Sequence, residues 1–156
     1  MRRRTTCDAG GVALLMRPAS ALAIAVAAVV AGAAVAQALP AGATDTEWQL
    51  QRILYMNDTE TVPADPTRYT LRFGSDGSVQ VRADCNRGTG RYEVDGGSLT
   101  FLPIALTRAM CPPDSIDTAF VRELSNVVSF TLDGGTLALA TAVDTSILFF
   151  EAAADK

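Results

Sequence analysis

Apolar and polar side chains alternate in short runs along most of this chain, and turn residues punctuate the runs. Alternation at every second position marks a strand with one face buried. In "EWQLQRILY" (47–55), Trp48, Leu50 and Leu54 fall on one side and Gln49 and Gln51 on the other. "RYTLRF" sets Tyr69, Leu71 and Phe73 against Arg68, Thr70 and Arg72, and "GSDG" then turns the chain. "SVQVRA" sets Val79, Val81 and Ala83 against Gln80 and Arg82, which completes a predicted hairpin. Two further hairpins, "RYEV" to "SLTFL" and "VSFTL" to "TLALA", are each turned by Asp-Gly-Gly. Glycine supplies the positive φ of such turns without steric cost. The last run, "SILFFEA", is continuously apolar from Ile147 to Phe150, as expected of a strand covered on both faces or closing a sheet.

One segment breaks the two-residue period. In "PPDSIDTAFVRELSNV", Ile116, Ala119, Phe120, Leu124 and Val127 recur at intervals of three and four, one face of a helix. Asp114 is the expected N-cap, Asp117 adds negative charge to the first turn, and Arg122, Glu123 and Asn126 belong to the opposite face. The polar segment "MNDTETVPADPT" holds two prolines and reads as a loop. About eight hairpin-connected strands and one helix predict a mainly β (α+β) fold. The expected form is a small antiparallel rolled sheet, or a partly open β-barrel, with one covering α-helix.

The N-terminal region has a different character. Arg2, Arg3, Arg4 and Arg17 precede an uncharged stretch, apolar without interruption from Ala21 to Ala36, and small residues end it. "AVA" at 34–36 and "AQA" at 36–38 both fit the cleavage pattern of a secretory signal peptide. Residues 1–38 are read as that leader, with Met16 as a second candidate start, 39–46 as a flexible lead-in, 47–151 as the domain and 152–156 as a tail. A secreted or periplasmic protein is expected, with no stable membrane anchor after cleavage. No cysteine stands at the end of the apolar stretch to carry a lipid.

Removing the leader changes the charge and the cysteine count. It holds four of the 13 basic and one of the 17 acidic residues, which leaves nine against 16 and a net charge of −7. Such a chain repels phosphate backbones and anionic bilayers, so nucleic acid is not an expected partner. Cys7 departs with the leader, and Cys85 and Cys111 remain as one expected disulfide in an oxidising compartment. A closed loop of 27 residues is worth about 3.5 kcal/mol on the chain-entropy account.

The chemistry available is narrow. There is no histidine, so Ser-His-Asp and Cys-His constellations are excluded. Asp84 and Glu93 are the one candidate carboxylate pair, against the plainer reading of strand-end charges paired with Arg82 and Arg91. No cofactor or metal is expected: soft ligands are missing, and the turns lack a calcium-loop pattern. In "CNRGTGRY", Asn86 and Gly88 are candidates for left-handed backbone and Gly90 for a bulge or tight crossing. A Cys85–Cys111 link is expected to gather Arg87, Arg91 and Arg108, with Asn86, into one candidate anion- or peptide-carboxylate-binding patch. The plainer alternative pairs each arginine with a nearby acid.

Several stretches taken together, "WQL", "CNRGTGRYEVDGGSLTF", "TRAMC" and a helix with "AFVREL", resemble the META domain, the HslJ-like family. The resemblance covers about Trp48 to Phe150. It implies a small barrel-like fold with one helix, a secreted or envelope-attached location, an association with stress tolerance, and no enzymatic activity established for the class. Many relatives carry a lipidation cysteine at the end of the leader, and this chain departs from them there. The leading expectation is an exported, non-enzymatic, monomeric module that binds an envelope protein or cell-wall component. The alternatives are a carrier of a small apolar ligand or lipid tail inside the barrel, and a carboxylate-based hydrolase.

Overall fold

The alternation closes into a cylinder. The structure is a computed structural model that describes residues 39–142 and 145–154. The expected signal peptide and the last residues of the tail lie outside the described residues. In chain order the elements are β1 (Glu47–Tyr55), β2 (Glu60–Thr61), β3 (Tyr69–Phe73), β4 (Ser78–Ala83), β5 (Asn86–Asp95), β6 (Ser98–Phe101), β7 (Ala105–Leu106), α1 (Asp117–Leu124), β8 (Val127–Asp133), β9 (Thr136–Thr141) and β10 (Ser146–Ala152). Eight of the strands form an antiparallel ring in the order β1-β3-β4-β5-β6-β8-β9-β10, and β10 returns to β1. β2 adds to β1, and β7 adds to β5.

The barrel is therefore fully closed, not partly open. β10 accounts for the difference. It pairs with β9 on one side and with β1 from Trp48 to Tyr55 on the other, which removes both edges of the sheet. The ring is thinnest between β6 and β8, where only Ser98 and Ser129 face each other in register.

Inward positions follow the sequence pattern on β3 and β4. Of the two alternatives for β10, it closes the sheet: Leu148 and Phe150 are buried while Ile147 and Phe149 are only half-buried. On β1 the register shifts between Leu50 and Arg52, so Ile53 is buried and Leu54 only half-buried. That reverses the expected placement of Leu54, because one extra residue moves every later side chain to the other face.

Both ends of the cylinder are stoppered. At one end α1 inserts Phe120 and Leu124, and the Phe120 ring lies edge-on to Tyr69 at 5.7 Å and tilted against Phe150 at 6.2 Å. At the other end the segment expected to be a flexible lead-in is packed. Leu39 and Ala43 are buried, the Trp48 indole N–H donates to the Ala43 carbonyl at 2.9 Å, and the Asp45 N–H donates to the Phe73 carbonyl at 2.8 Å. Between the stoppers, Trp48, Leu50, Phe73, Leu99, Leu139 and Leu148 fill the interior with at most 1 % exposure. Full burial of each such side chain contributes about 1.5–3 kcal/mol.

The helix starts two residues later than expected. Ile116 occupies the N-cap position without a side-chain bond, and Asp114 is exposed and outside the helix. Ser115 takes over part of the capping, since its hydroxyl accepts the Asp117 N–H at 3.2 Å. Glu123, expected on the solvent face, is buried. Its carboxylate accepts the Ser146 hydroxyl at 2.8 Å and the Arg122 guanidinium at 2.7 and 2.9 Å, which ties α1 to the start of β10.

Candidate functional site

The turn from β4 into β5 is only two residues long, Asp84 and Cys85, because Ala83 pairs directly with Asn86. Asp84 takes the positive φ (59°) that so tight a connection demands, and neither Asn86 nor Gly88 needs it. Cys85 is joined to Cys111, which straps the run-up to α1 onto this turn. Asn86 fastens the same strap. Its amide N–H donates to the Ala109 carbonyl at 3.2 Å, and its side-chain carbonyl accepts the Ala109 N–H at 2.8 Å and the Thr107 hydroxyl at 3.1 Å. Asn86 is 7 % exposed and its polar atoms are engaged, so it is a fastener and not part of a binding patch.

Asp84 is likewise committed. It is 2 % exposed and forms an ion pair with Arg68, and the Tyr69 hydroxyl donates to it at 3.4 Å. The same hydroxyl accepts the Ile116 N–H at 3.0 Å, so this corner holds the helix entry in place. Glu93 sits far along β5, exposed, opposite Thr100 on β6. Asn86, next in β5 after the turn, is seven positions away, about 23 Å of strand. The Asp84–Glu93 pair does not assemble. Among the described residues no group of three or more acids or cysteines could hold a metal ion.

The three arginines do not form one cluster: the Thr107 N–H donates to the Arg87 carbonyl at 3.0 Å, which brings the Arg87 and Arg108 segments side by side, but Arg91 does not join them. Arg91 folds over the turn between β3 and β4, and its guanidinium donates to the Asp76 carbonyl at 3.2 Å. Arg108 lines a hollow between the strap and α1, beside Met110 and Arg122. Arg87 lies in a groove on the outer face of β3, β4 and β5, with a volume of about 750 Å³, which shares Leu106 and Thr107 with the hollow that Arg108 lines. The reason is directional: residues 87 and 91 both point outward, but β5 carries them to opposite ends of that face.

The groove that holds Arg87 contains two guanidiniums that were visible in the sequence as outward positions but not as neighbours. The register lays them out in two rows. In the first, Thr70 faces Arg82 and Arg82 faces Arg87. In the second, Glu47 faces Arg72, Arg72 faces Gln80, and Gln80 faces Thr89. Arg82 is partly anchored, donating to the Thr67 and Asp84 carbonyls at 3.1 and 3.3 Å. The ion pairs among the described residues are Arg68–Asp84 and Arg122–Glu123, so none of these three arginines is salt-bridged. Gly88 shapes the floor, because a Cβ there would overlap the Ala105 carbonyl oxygen of β7. The sequence signal was present: fixing the "GSDG" and "ADC" turns fixes both registers, and outward arginines then fall side by side.

Two exposed aspartates near this region have pKa values below the ordinary carboxylate range. For Asp65 the causes are the Thr67 hydroxyl and then the Thr67 N–H. For Asp76 they are the Ser78 hydroxyl, at 2.5 Å, and then the Ser78 N–H. Burial raises the pKa of the Tyr92 phenol, whose hydroxyl donates to the Gly74 carbonyl at 2.8 Å.

The barrel has known relatives. The META domain model matches residues 41–154. A solution structure of a protein from Burkholderia xenovorans is similar with a TM-score of 0.60 and 22 % identity, covering 72 % of this chain and 84 % of that one. A crystal structure of a DUF4847 family protein from Bacteroides vulgatus is similar with a TM-score of 0.52 and 15 % identity, covering 72 % of this chain and 96 % of that one. At these identities the likeness concerns the fold. No curated protein matches the chain.

Proposed function

The chain belongs to the META-domain family, and we propose that it is exported and acts outside the cytoplasm as a monomeric, non-enzymatic binding module of the cell envelope. In this reading it contributes to stress tolerance by holding another envelope component against the outer face of β3–β4–β5. The observation that carries the reading is the outer groove, where Arg72, Arg82 and Arg87 stand without acidic partners within salt-bridge reach. Export is supported by the leader-like pattern of 1–38 and by a disulfide that an oxidising compartment maintains. A binding role is favoured over an internal carrier because side chains from both stoppers and all walls occupy the barrel interior. It is favoured over hydrolysis because Asp84 is consumed by Arg68 and Tyr69 while Glu93 stands alone on the surface. META domains are not a known enzyme family.

The test is photocrosslinking in living cells from a reactive residue at position 89, which faces outward in the groove. A discrete adduct outside the cytoplasm is expected, and it should disappear when Arg72 and Arg87 are both changed to Gln. An adduct that survives both changes, or a protein that stays in the cytoplasm with its leader intact, would overturn the proposal.

A further inference from the structure

Two arginines oppose each other on neighbouring strands of an acidic barrel, one of them with its guanidinium anchored to the Thr67 and Asp84 carbonyls. Arg82 on β4 and Arg87 on β5 are register partners, and both point outward. Directly opposed side chains in an antiparallel pair have Cβ atoms about 4.5–5.5 Å apart, and like charges in that arrangement destabilise the sheet. Arg72 adds a third positive charge one strand over and two positions along. Glu47, opposite Arg72, is the single acid lining the groove, and it forms no ion pair. The protein keeps a local repulsion that an exchange of Arg87 for a neutral residue would remove. A bound anion would relieve it in another way.

We infer that the groove binds an extended acidic peptide segment whose carboxylates occupy alternate positions. This rests on the binding reading above and names the class of partner for that same face. The two rows of the groove, one with Arg82 and Arg87 and the other with Arg72, are two residues apart along the strands. An extended chain advances about 3.3 Å per residue, so side chains on one of its faces recur at about 6.6 Å, the same step as the rows. Arg72 is also displaced sideways from Arg82 by one strand spacing, about 4.8 Å, so a strand-like peptide laid obliquely along the groove sets one carboxylate beside Arg82 and Arg87 and, two residues on, the next within reach of the long Arg72 side chain. Guanidinium forks suit planar carboxylates, which they hold through paired hydrogen bonds. Thr70, Gln80 and Thr89 lie between the cations and offer donors and acceptors to the peptide backbone. No aromatic ring lines the groove, so the stacking platform that a sugar chain would use is missing.

The experiment uses the purified exported chain and fluorescein-labelled seven-residue peptides, read by fluorescence anisotropy. One peptide carries three aspartates at alternate positions among threonines, a second has the same residues with the aspartates contiguous, and a third replaces them with asparagine. The alternating peptide is expected to bind at least tenfold more tightly than the asparagine peptide and at least threefold more tightly than the contiguous one. Arg72→Gln and Arg87→Gln should each weaken it at least fivefold, and raising the salt concentration should weaken it further. Arg87→Gln should also melt no lower than the parent, because it removes a repulsion; a purely structural arginine would lower the Tm. Equal binding of all three peptides, no binding, or indifference to both arginine changes would overturn the inference. Inorganic phosphate that displaces the alternating peptide at equal concentration would overturn it too, by making the site one for a simple oxyanion. If the peptides fail while the arginine-dependent adduct at position 89 persists in cells, the peptide inference falls and the binding reading stands.

Discussion

Removing the disulfide tests the physical account of the strap. Changing Cys85 and Cys111 together to Ala opens a loop whose ends are 26 positions apart. On the chain-entropy account the unfolded state gains about 3.5 kcal/mol of freedom. The folded state has reason to stay as it is, because Asn86 still holds Ala109 through two bonds and the Tyr69 hydroxyl still holds Ile116. For a barrel of roughly 115 residues, each kcal/mol at the midpoint corresponds to about 4 °C, so the Tm should fall by about 15 °C. Urea unfolding monitored by Trp48 fluorescence gives the free energy and its slope together. The slope should rise, because an unfolded chain without the cross-link exposes more surface. A loss below about 1 kcal/mol with an unchanged slope would refute the reasoning, since it would mean that the link adds little restraint to the unfolded chain beyond the structure that chain already retains.

Three other changes probe the parts that hold the groove in place. Phe120→Ala pulls the stopper from one end of the barrel and should cost about 3–5 kcal/mol in chemical denaturation. Gly88→Ala forces a Cβ against the Ala105 carbonyl oxygen, which is backbone and cannot turn aside. It should cost about 1–3 kcal/mol and speed amide exchange at Leu106 and Thr107. The Asp76 carboxylate is held below its ordinary pKa by Ser78, so its contribution to stability is full above the unfolded value of about 3.9 and is lost as the pH falls through the lower folded value. Ser78→Ala should raise the Asp76 pKa in a carbon-detected NMR titration, and an unchanged pKa would contradict the assignment of cause.

The strands were legible because most of them bury one face, and Tyr69, Leu71 and Phe73 against Val79, Val81 and Ala83 could be read directly. Closure was not legible. It depends on β10 meeting β1 across nearly the whole chain, and alternation within a strand carries no information about its distant partner. The bulge after Leu50 was hidden for a related reason, since two positions had to share one partner before Ile53 could turn inward. Glu123 looked like a solvent residue because its receptor, Ser146, lies in another element. The candidate site was half visible. Arg87 is legible as a candidate, but the cysteine spacing points across the disulfide to Arg108, while Arg82 and Arg72 lie beside it across the sheet. Reading the two short turns as register-setting devices would have supplied them.

In the function proposed above, this barrel binds through the outside of β3–β4–β5 and not through its interior. The deciding measurement is hydrogen–deuterium exchange on the purified protein, alone and mixed with a solubilised envelope fraction of the cells. Slowed exchange is expected only in peptides spanning 67–72, 80–89 and 105–107, with α1 and the 39–46 stopper unchanged. Slowed exchange at α1 and 39–46, with the groove unaffected, would put the ligand inside the barrel and contradict that function.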